Sequence, residues 1–168
     1  MADEMPGFVR SIHISAPPEV VWELITDVKR HPEFAGDQSI TKVIHFDGPL
    51  EVGARWTADE KIGPMKFTAP SEVTVLTDPV EFGWKSFPPA KDEDHQAQVH
   101  WVYRIAPEGN GVQLTLEMSG TAPKKGLGMI KFQRLLVGAE RKNPRDMMTS
   151  LQNIKAAAER EQGSMARV

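Results

Sequence analysis

The stretch that most constrains this chain is its last long one, residues 143–162, NPRDMMTSLQNIKAAAEREQ. Met147, Leu151, Ile154 and Ala158 recur at steps of four, three and four, which places them in one apolar stripe along a helix. Arg145, Gln152, Lys155 and Glu159 fall elsewhere around it. Asn143 reads as the N-cap and Pro144 as the first helical residue, where a missing N–H costs nothing. Gly163 supplies the stop. At about 1.5 Å per residue the helix spans roughly 28 Å, the width of about six strands spaced roughly 4.8 Å apart. A single apolar stripe has to be buried against something, and the rest of the chain offers mainly sheet.

The earlier elements follow in order. Residues 8–14, FVRSIHI, alternate as a strand with Phe8, Ile12 and Ile14 on one face. Ala16-Pro17-Pro18-Glu19 then opens a helix, with proline and a carboxylate where a first turn favours them. Val20, Val21, Trp22, Leu24, Ile25 and Val28 make that helix largely apolar, hence substantially buried. His31-Pro32 breaks it, and Pro32 to Phe34 give a second short turn of helix. From residue 39 the period changes to two. SITKVIHF, GARWTADEKI, Met65 to Leu76 (bent near Pro70, since a strand proline belongs at an edge or bulge) and EFGWKSF read as strands. Residues 88–95, PPAKDEDH, form a polar, mostly acidic loop. Ala97, Val99, Trp101, Tyr103 and Ile105 then share one face, with Gln96, Gln98, His100 and Arg104 on the other. Glu108-Gly109-Asn110-Gly111 is a hairpin turn. Val112, Leu114, Leu116 and Met118 alternate with Gln113, Thr115, Glu117 and Ser119. One dry and one wet face mark antiparallel sheet. Residues 124–142, apolar at Leu127, Ile130, Leu135 and Leu136, form a further helical segment that either leads into the last helix through a kink at Asn143-Pro144, the preferred reading, or stands as a separate lid.

A chain of 168 residues is expected to be a single domain, with a core over 8–162 and disordered tails at 1–7 and 163–168. The net charge of −3 leaves no global footprint for nucleic acid. Without cysteine there is no disulfide framework and no thiolate chemistry. MADEMPGF lacks the layout of a signal peptide, and no apolar run approaches the roughly 20 residues of a membrane span. The expectation is a cytoplasmic protein. Its oligomeric state is not legible.

The order strand, two short helices, six strands, long helix, together with APPEVVW at 16–22 and TDVKRHPEF at 26–34, resembles the START-like or SRPBCC superfamily. Within it the chain is most similar to the polyketide cyclase/dehydrase and lipid-transport group. Val52-Gly53-Ala54-Arg55-Trp56 and LQNIKAAAE at 151–159 share the resemblance. It implies an α+β helix-grip fold, the START or birch-pollen-allergen type, in which a curved antiparallel sheet of six to seven strands wraps a long C-terminal helix. It further implies an apolar cavity between sheet and helix, with no cofactor. Trp22 would anchor the first helix and Asp27 would sit at a helix junction. Members bind lipids, sterols, quinones, polyketides or hormones, and a minority catalyse cyclisation, aromatisation or dehydration.

The expected ligand contacts are Trp56, Phe67, Trp84, Trp101, Tyr103, Leu116 and Met118 from the strands, with Met147, Met148 and Leu151 from the helix. Aromatic rings and flexible methionines suit a planar or adaptable hydrophobic molecule. The same side chains would equally fill a solid core. Glu60 shares a face with Trp56 and Ala58; an inward carboxylate in an apolar cavity has a raised pKa and can act as a general acid or base. Tyr103 could hydrogen-bond a ligand carbonyl. These two residues carry the alternative expectation, a polyketide cyclase, aromatase or dehydratase; the leading one is non-covalent carriage, sequestration or sensing of a small hydrophobic ligand. The histidines form no metal pattern, since His95 and His100 face opposite ways on a strand. Residues 124–145 carry Lys124, Lys125, Lys131, Arg134, Arg141, Lys142 and Arg145 against Glu140. Such a run is usually a solvated helix face; the sharper reading is contact with an anionic membrane or an acidic carrier protein.

Overall fold

The computed structural model describes residues 4–35, 41–62, 64–121 and 127–167, the last segment with side chains from residue 145 onward. Seven antiparallel strands form one curved sheet: β1 (Glu4–Ile14), β2 (Thr41–His45), β3 (Arg55–Ile62), β4 (Met65–Thr77), β5 (Glu81–Ser86), β6 (Gln98–Glu108) and β7 (Gly111–Thr121). Their spatial order is β1-β7-β6-β5-β4-β3-β2, so β5 lies in the middle. Helix α1 (Pro18–Thr26), a 3-10 turn (Val28–Arg30) and α2 (His31–Phe34) follow β1, and α3 (Leu127–Met165) closes the chain. This is the helix-grip arrangement. Pro18 opens α1 with Glu19 in its first turn, and Asp27 both ends α1 and begins the 3-10 turn.

The apolar stripe of α3 is the part of the helix most tightly held. Met147, Leu151, Ile154 and Ala158 are all at most 2% exposed. The Lys155 ammonium donates to the carbonyl of His13 at 2.8 Å, and the Ser15 amide donates to Glu159 at 3.0 Å. The C-terminal half of α3 therefore lies against the end of β1. At that end Ile14, Val112, Leu114 and Ile105 are sealed. The other face of the sheet is polar and ion-paired, as in Arg55–Glu72–Lys85 and Glu81–Arg104–Glu117.

Five expectations need correction. Strand β1 begins at Glu4 and α3 runs to Met165, so the ordered elements exceed 8–162 at both ends. Asn143 is not an N-cap and Pro144 does not begin a helix: both lie inside α3, which is one helix of 39 residues. A helix-interior proline removes one hydrogen bond and costs about 3 kcal/mol. The good helix formers on either side outweigh that loss. Nor does Gly163 end the helix, which runs two residues past it.

The irregularity of β4 falls between Val73 and Val75 rather than at Pro70. Pro70 stays in register opposite Thr57 on β3. Its carbonyl accepts from the Phe87 amide at 2.9 Å, so its nitrogen also faces the β5 side, just past Ser86 where β5 ends. The reciprocal bond to the Phe87 carbonyl is the one a proline cannot make, so the loss is confined to a single bond at the end of β5. Lastly, Trp22 is only half-buried; Val20, Val21, Leu24 and Ile25 are the side chains that anchor α1.

Candidate functional site

Strand register fixes which residues share the inner face, because directly opposed residues point the same way. One row across the sheet reads Trp56, Ser71, Ser86, Val99. The next reads Val73, Trp84, Trp101, Met118, Phe8, and the one after it Leu76, Phe82, Tyr103, Leu116, Arg10. Glu60 and Phe67 pair two rows above Trp56 and Ser71. Every strand residue expected to contact a ligand therefore lies on one surface, and Met147, Met148 and Leu151 belong to the core it forms with α3. The expected faces of β3, β6 and β7 are the observed ones.

An aromatic wall occupies the middle of this surface. The Trp84 ring lies 5.3 Å from Phe82 and 6.2 Å from Trp101, both stacked, and 6.1 Å from Trp56 and 5.9 Å from Tyr103. Trp84 and Trp101 nevertheless remain half-buried, as do Val99, Phe67, Glu60 and Met148. A tryptophan on the central strand, facing a helix, is sealed when the space in front of it is filled. Phe82, its neighbour, is sealed at 0%. The packing thus tightens toward the Ile14 end and leaves a solvent-reachable hollow before Trp84, Trp101 and Val99.

Polar groups on this surface are few. Glu60 faces inward and is half-buried, with the Thr41 hydroxyl donating to it from 3.4 Å. Burial raises its pKa above the ordinary 4.5, and the bond from Thr41 offsets part of that rise. The Tyr103 side chain is 6% exposed, and burial raises its phenol pKa, so it is a neutral donor. Ser71, sealed at 2%, shares a 2.8 Å hydrogen bond with Ser86 and is thereby satisfied.

His31 was not singled out in the sequence, where His31-Pro32 read as a helix break. Its ring lies 5.2 Å from Trp84 and 6.2 Å from both Phe82 and Tyr103. Its Nε2 is 2.7 Å from the carbonyl of Ile25; a carbonyl can only accept, so Nε2 carries the proton. Burial lowers its pKa, so the ring is neutral at pH 7 and Nδ1 presents a lone pair. Helix α2 is held there by Asn153, which donates to the Phe34 carbonyl at 2.8 Å, and by the Arg30–Glu161 pair at 3.3 Å. The signal available in the sequence was spacing: Val28, His31 and Phe34 stand three apart, and the outer two are buried.

Glu60 and Tyr103 are not brought together. They stand three strands apart, and eight residues separate their rows, about 26 Å along the strand direction. Among the described residues no cluster of His, Asp and Glu could hold a metal ion. His95 pairs with Asp92 at 2.5 Å, away from His100. No helix among the described residues is long and apolar enough to cross a membrane. Of the basic segment 124–145, only Arg145 lies within the described side chains, and it is exposed.

The profile of the polyketide cyclase/dehydrase and lipid-transport family matches residues 5–159. No curated protein matches the chain by sequence. Among solved structures, the Zhui aromatase/cyclase from Streptomyces sp. R1128 superimposes with a TM-score of 0.69 at 15% identity, over 94% of this chain and 95% of its own. Protein MLL2253 from Mesorhizobium loti gives 0.63 at 17% identity, over 92% and 98%. Ara h 8.0201 gives 0.61 at 8% identity, over 93% and 98%. At such identities the likeness is one of fold.

Proposed function

The chain belongs to the polyketide cyclase/dehydrase and lipid-transport family, and on that premise we propose that it binds a small, largely planar hydrophobic molecule non-covalently, for carriage, sequestration or sensing. The observation that carries this reading is the aromatic wall of Trp56, Trp84 and Trp101, of which the central Trp84 and its neighbour Trp101 remain solvent-reachable although they face the gripped helix. Flat indole faces backed by Met118 and Met148 suit a ring system or an unsaturated chain. Native mass spectrometry followed by solvent extraction tests it. A co-purifying apolar molecule near one per chain is the expected result. A bare chain mass that stays bare when naphthalene is added would count against any hydrophobic-ligand role.

A second reading, proton transfer in a cyclase or dehydratase, is favoured by one observation: Glu60 is inward, and burial raises its pKa. Under it, the Glu60 carboxylate would remove a proton from a carbon between two carbonyls and return it to the oxygen of the new carbon–carbon bond's alkoxide. Tyr103 lies too far along the sheet to act on the same carbon, so Glu60 would work alone. Turnover of a poly-β-keto substrate that Glu60→Gln abolishes, with binding kept, would support this reading over simple carriage.

A further inference from the structure

We infer that His31 and Tyr103 form a specificity pair at the inner end of the hollow, matched to a planar ligand that carries a neutral hydroxyl there. This rests on the binding reading above. The two rings meet edge to face at 6.2 Å and both lie against Trp84, at 5.2 and 5.9 Å. A flat molecule stacked on the tryptophans therefore presents its leading edge to both.

Their hydrogen-bonding capacities are complementary and unspent. The Nε2 proton of His31 is committed to the Ile25 carbonyl, which leaves Nδ1 as an acceptor. The Tyr103 hydroxyl has a proton to give, and neither it nor Nδ1 meets a hydrogen-bond partner among the described residues. Yet no side-chain nitrogen or oxygen sealed from solvent is left without a partner among them. Both atoms therefore reach open space rather than dry packing. In an apolar surrounding, unspent polar atoms favour the ligand that satisfies them.

A hydroxyl is the group that satisfies both: it accepts from Tyr103 and donates to Nδ1. A carbonyl satisfies Tyr103 alone. A carboxylate accepts from Tyr103 but sets its second oxygen against the Nδ1 lone pair, in a place that has already disfavoured charge. The cation that register places in this row is Arg10, two strands from Tyr103 on the edge strand; it is exposed, and its guanidinium donates back to the Val9 carbonyl at 2.7 Å. It does not stand over either ring. His31 is thus a specificity-determining residue: it sorts hydroxyl from carboxylate among ligands of equal apolar shape.

Three probes of one shape test this by quenching of tryptophan fluorescence: naphthalene, 2-naphthol and 2-naphthoate. Naphthalene reads the apolar hollow alone. The wild-type chain is expected to hold 2-naphthol about five- to thirtyfold more tightly than naphthalene, the range of one or two net hydrogen bonds, and 2-naphthoate most weakly. Tyr103→Phe removes only the hydroxyl. His31→Gln keeps a donor for Ile25 and removes Nδ1. Each should shrink the 2-naphthol advantage, read within each variant as the ratio of 2-naphthol to naphthalene affinity. Equal binding of naphthalene and 2-naphthol, an advantage that survives both substitutions, or 2-naphthoate binding as well as 2-naphthol would each overturn the pair while leaving the hollow in place. If naphthalene itself fails to bind, the binding reading falls and the pair with it. Should His31→Gln lose naphthalene as well, its fold is damaged and Tyr103→Phe alone decides.

Discussion

Truncating Leu151 and Met148 separately measures both the grip on the helix and the hollow beside it. The two residues stand three apart on α3. Leu151 is at 0% exposure inside the core, whereas Met148 packs against that core but stays half-buried. Removing a sealed leucine side chain costs its transfer free energy and leaves a cavity, together roughly 2–5 kcal/mol for Leu→Ala. For a domain of this size each kcal/mol shifts the melting temperature by about 2–4 °C. Leu151→Ala should therefore lower it by about 4–20 °C. Met148→Ala begins from a side chain that already borders open space, so little new cavity forms and its loss should be less than half that of Leu151→Ala. Urea unfolding followed by tryptophan fluorescence and by circular dichroism gives both numbers on one scale. A Leu151→Ala loss near zero would show that the sheet does not grip the helix there. Equal losses would show that Met148 faces solid packing rather than open space.

Further outcomes follow from the same geometry. Trp22→Ala should cost less than the roughly 3 kcal/mol that marks a fully buried aromatic, because Trp22 is half-buried; an equal or larger loss by urea unfolding would restore it as the anchor of α1. For Glu60, the folded pKa lies above 4.5, so its charge destabilises the fold at neutral pH; as pH falls through the folded pKa toward 4.5 the folded state takes up a proton first and stability is gained. Glu60→Gln should then melt higher than wild type at pH 7, with the gap closing toward pH 4.5; a gap independent of pH would place Glu60 in water. His31 has the opposite sign. Its folded pKa lies below 6.5, so its contribution is intact above 6.5 and is lost as pH falls from there toward the folded value. His31→Gln should flatten that part of the stability profile, and an unchanged profile would argue against an enclosed ring.

Periodicity made much of this legible. The stripe of Met147, Leu151, Ile154 and Ala158 and the alternation through β6 and β7 each repeat four or five times, so one misplaced residue does not obscure the face. Signals resting on single residues fared less well. Asn143-Pro144 has the chemistry of a helix start, yet a long helix absorbs the loss of one hydrogen bond. Pro70 has the chemistry of a bulge, but the length of its neighbour β5 determines whether its missing donor matters, and that is set by residues ten or more away in sequence. Trp22 is the largest side chain of α1, and size alone suggested an anchor where the smaller Val21 and Leu24 are the buried ones. His31 was hidden for the same reason: its role arises from rings on β5 and β6, and no local pattern connects it to Trp84 or Tyr103. Glu60 and Tyr103 could each be placed on the inner face from alternation, but only the register across three strands shows them at opposite ends.

The indole N–H resonances of the four tryptophans test the central claim most directly. They would be followed by two-dimensional NMR while naphthalene is added, with each signal assigned by a single Trp→Phe variant. Trp56, Trp84 and Trp101 share the inner face, and Trp22 lies on α1 as an internal reference. A hydrophobic site before the aromatic wall predicts that the three inner signals move together and saturate at one naphthalene per chain while Trp22 stays still. Three unmoved inner signals, or movement confined to Trp22, would contradict it.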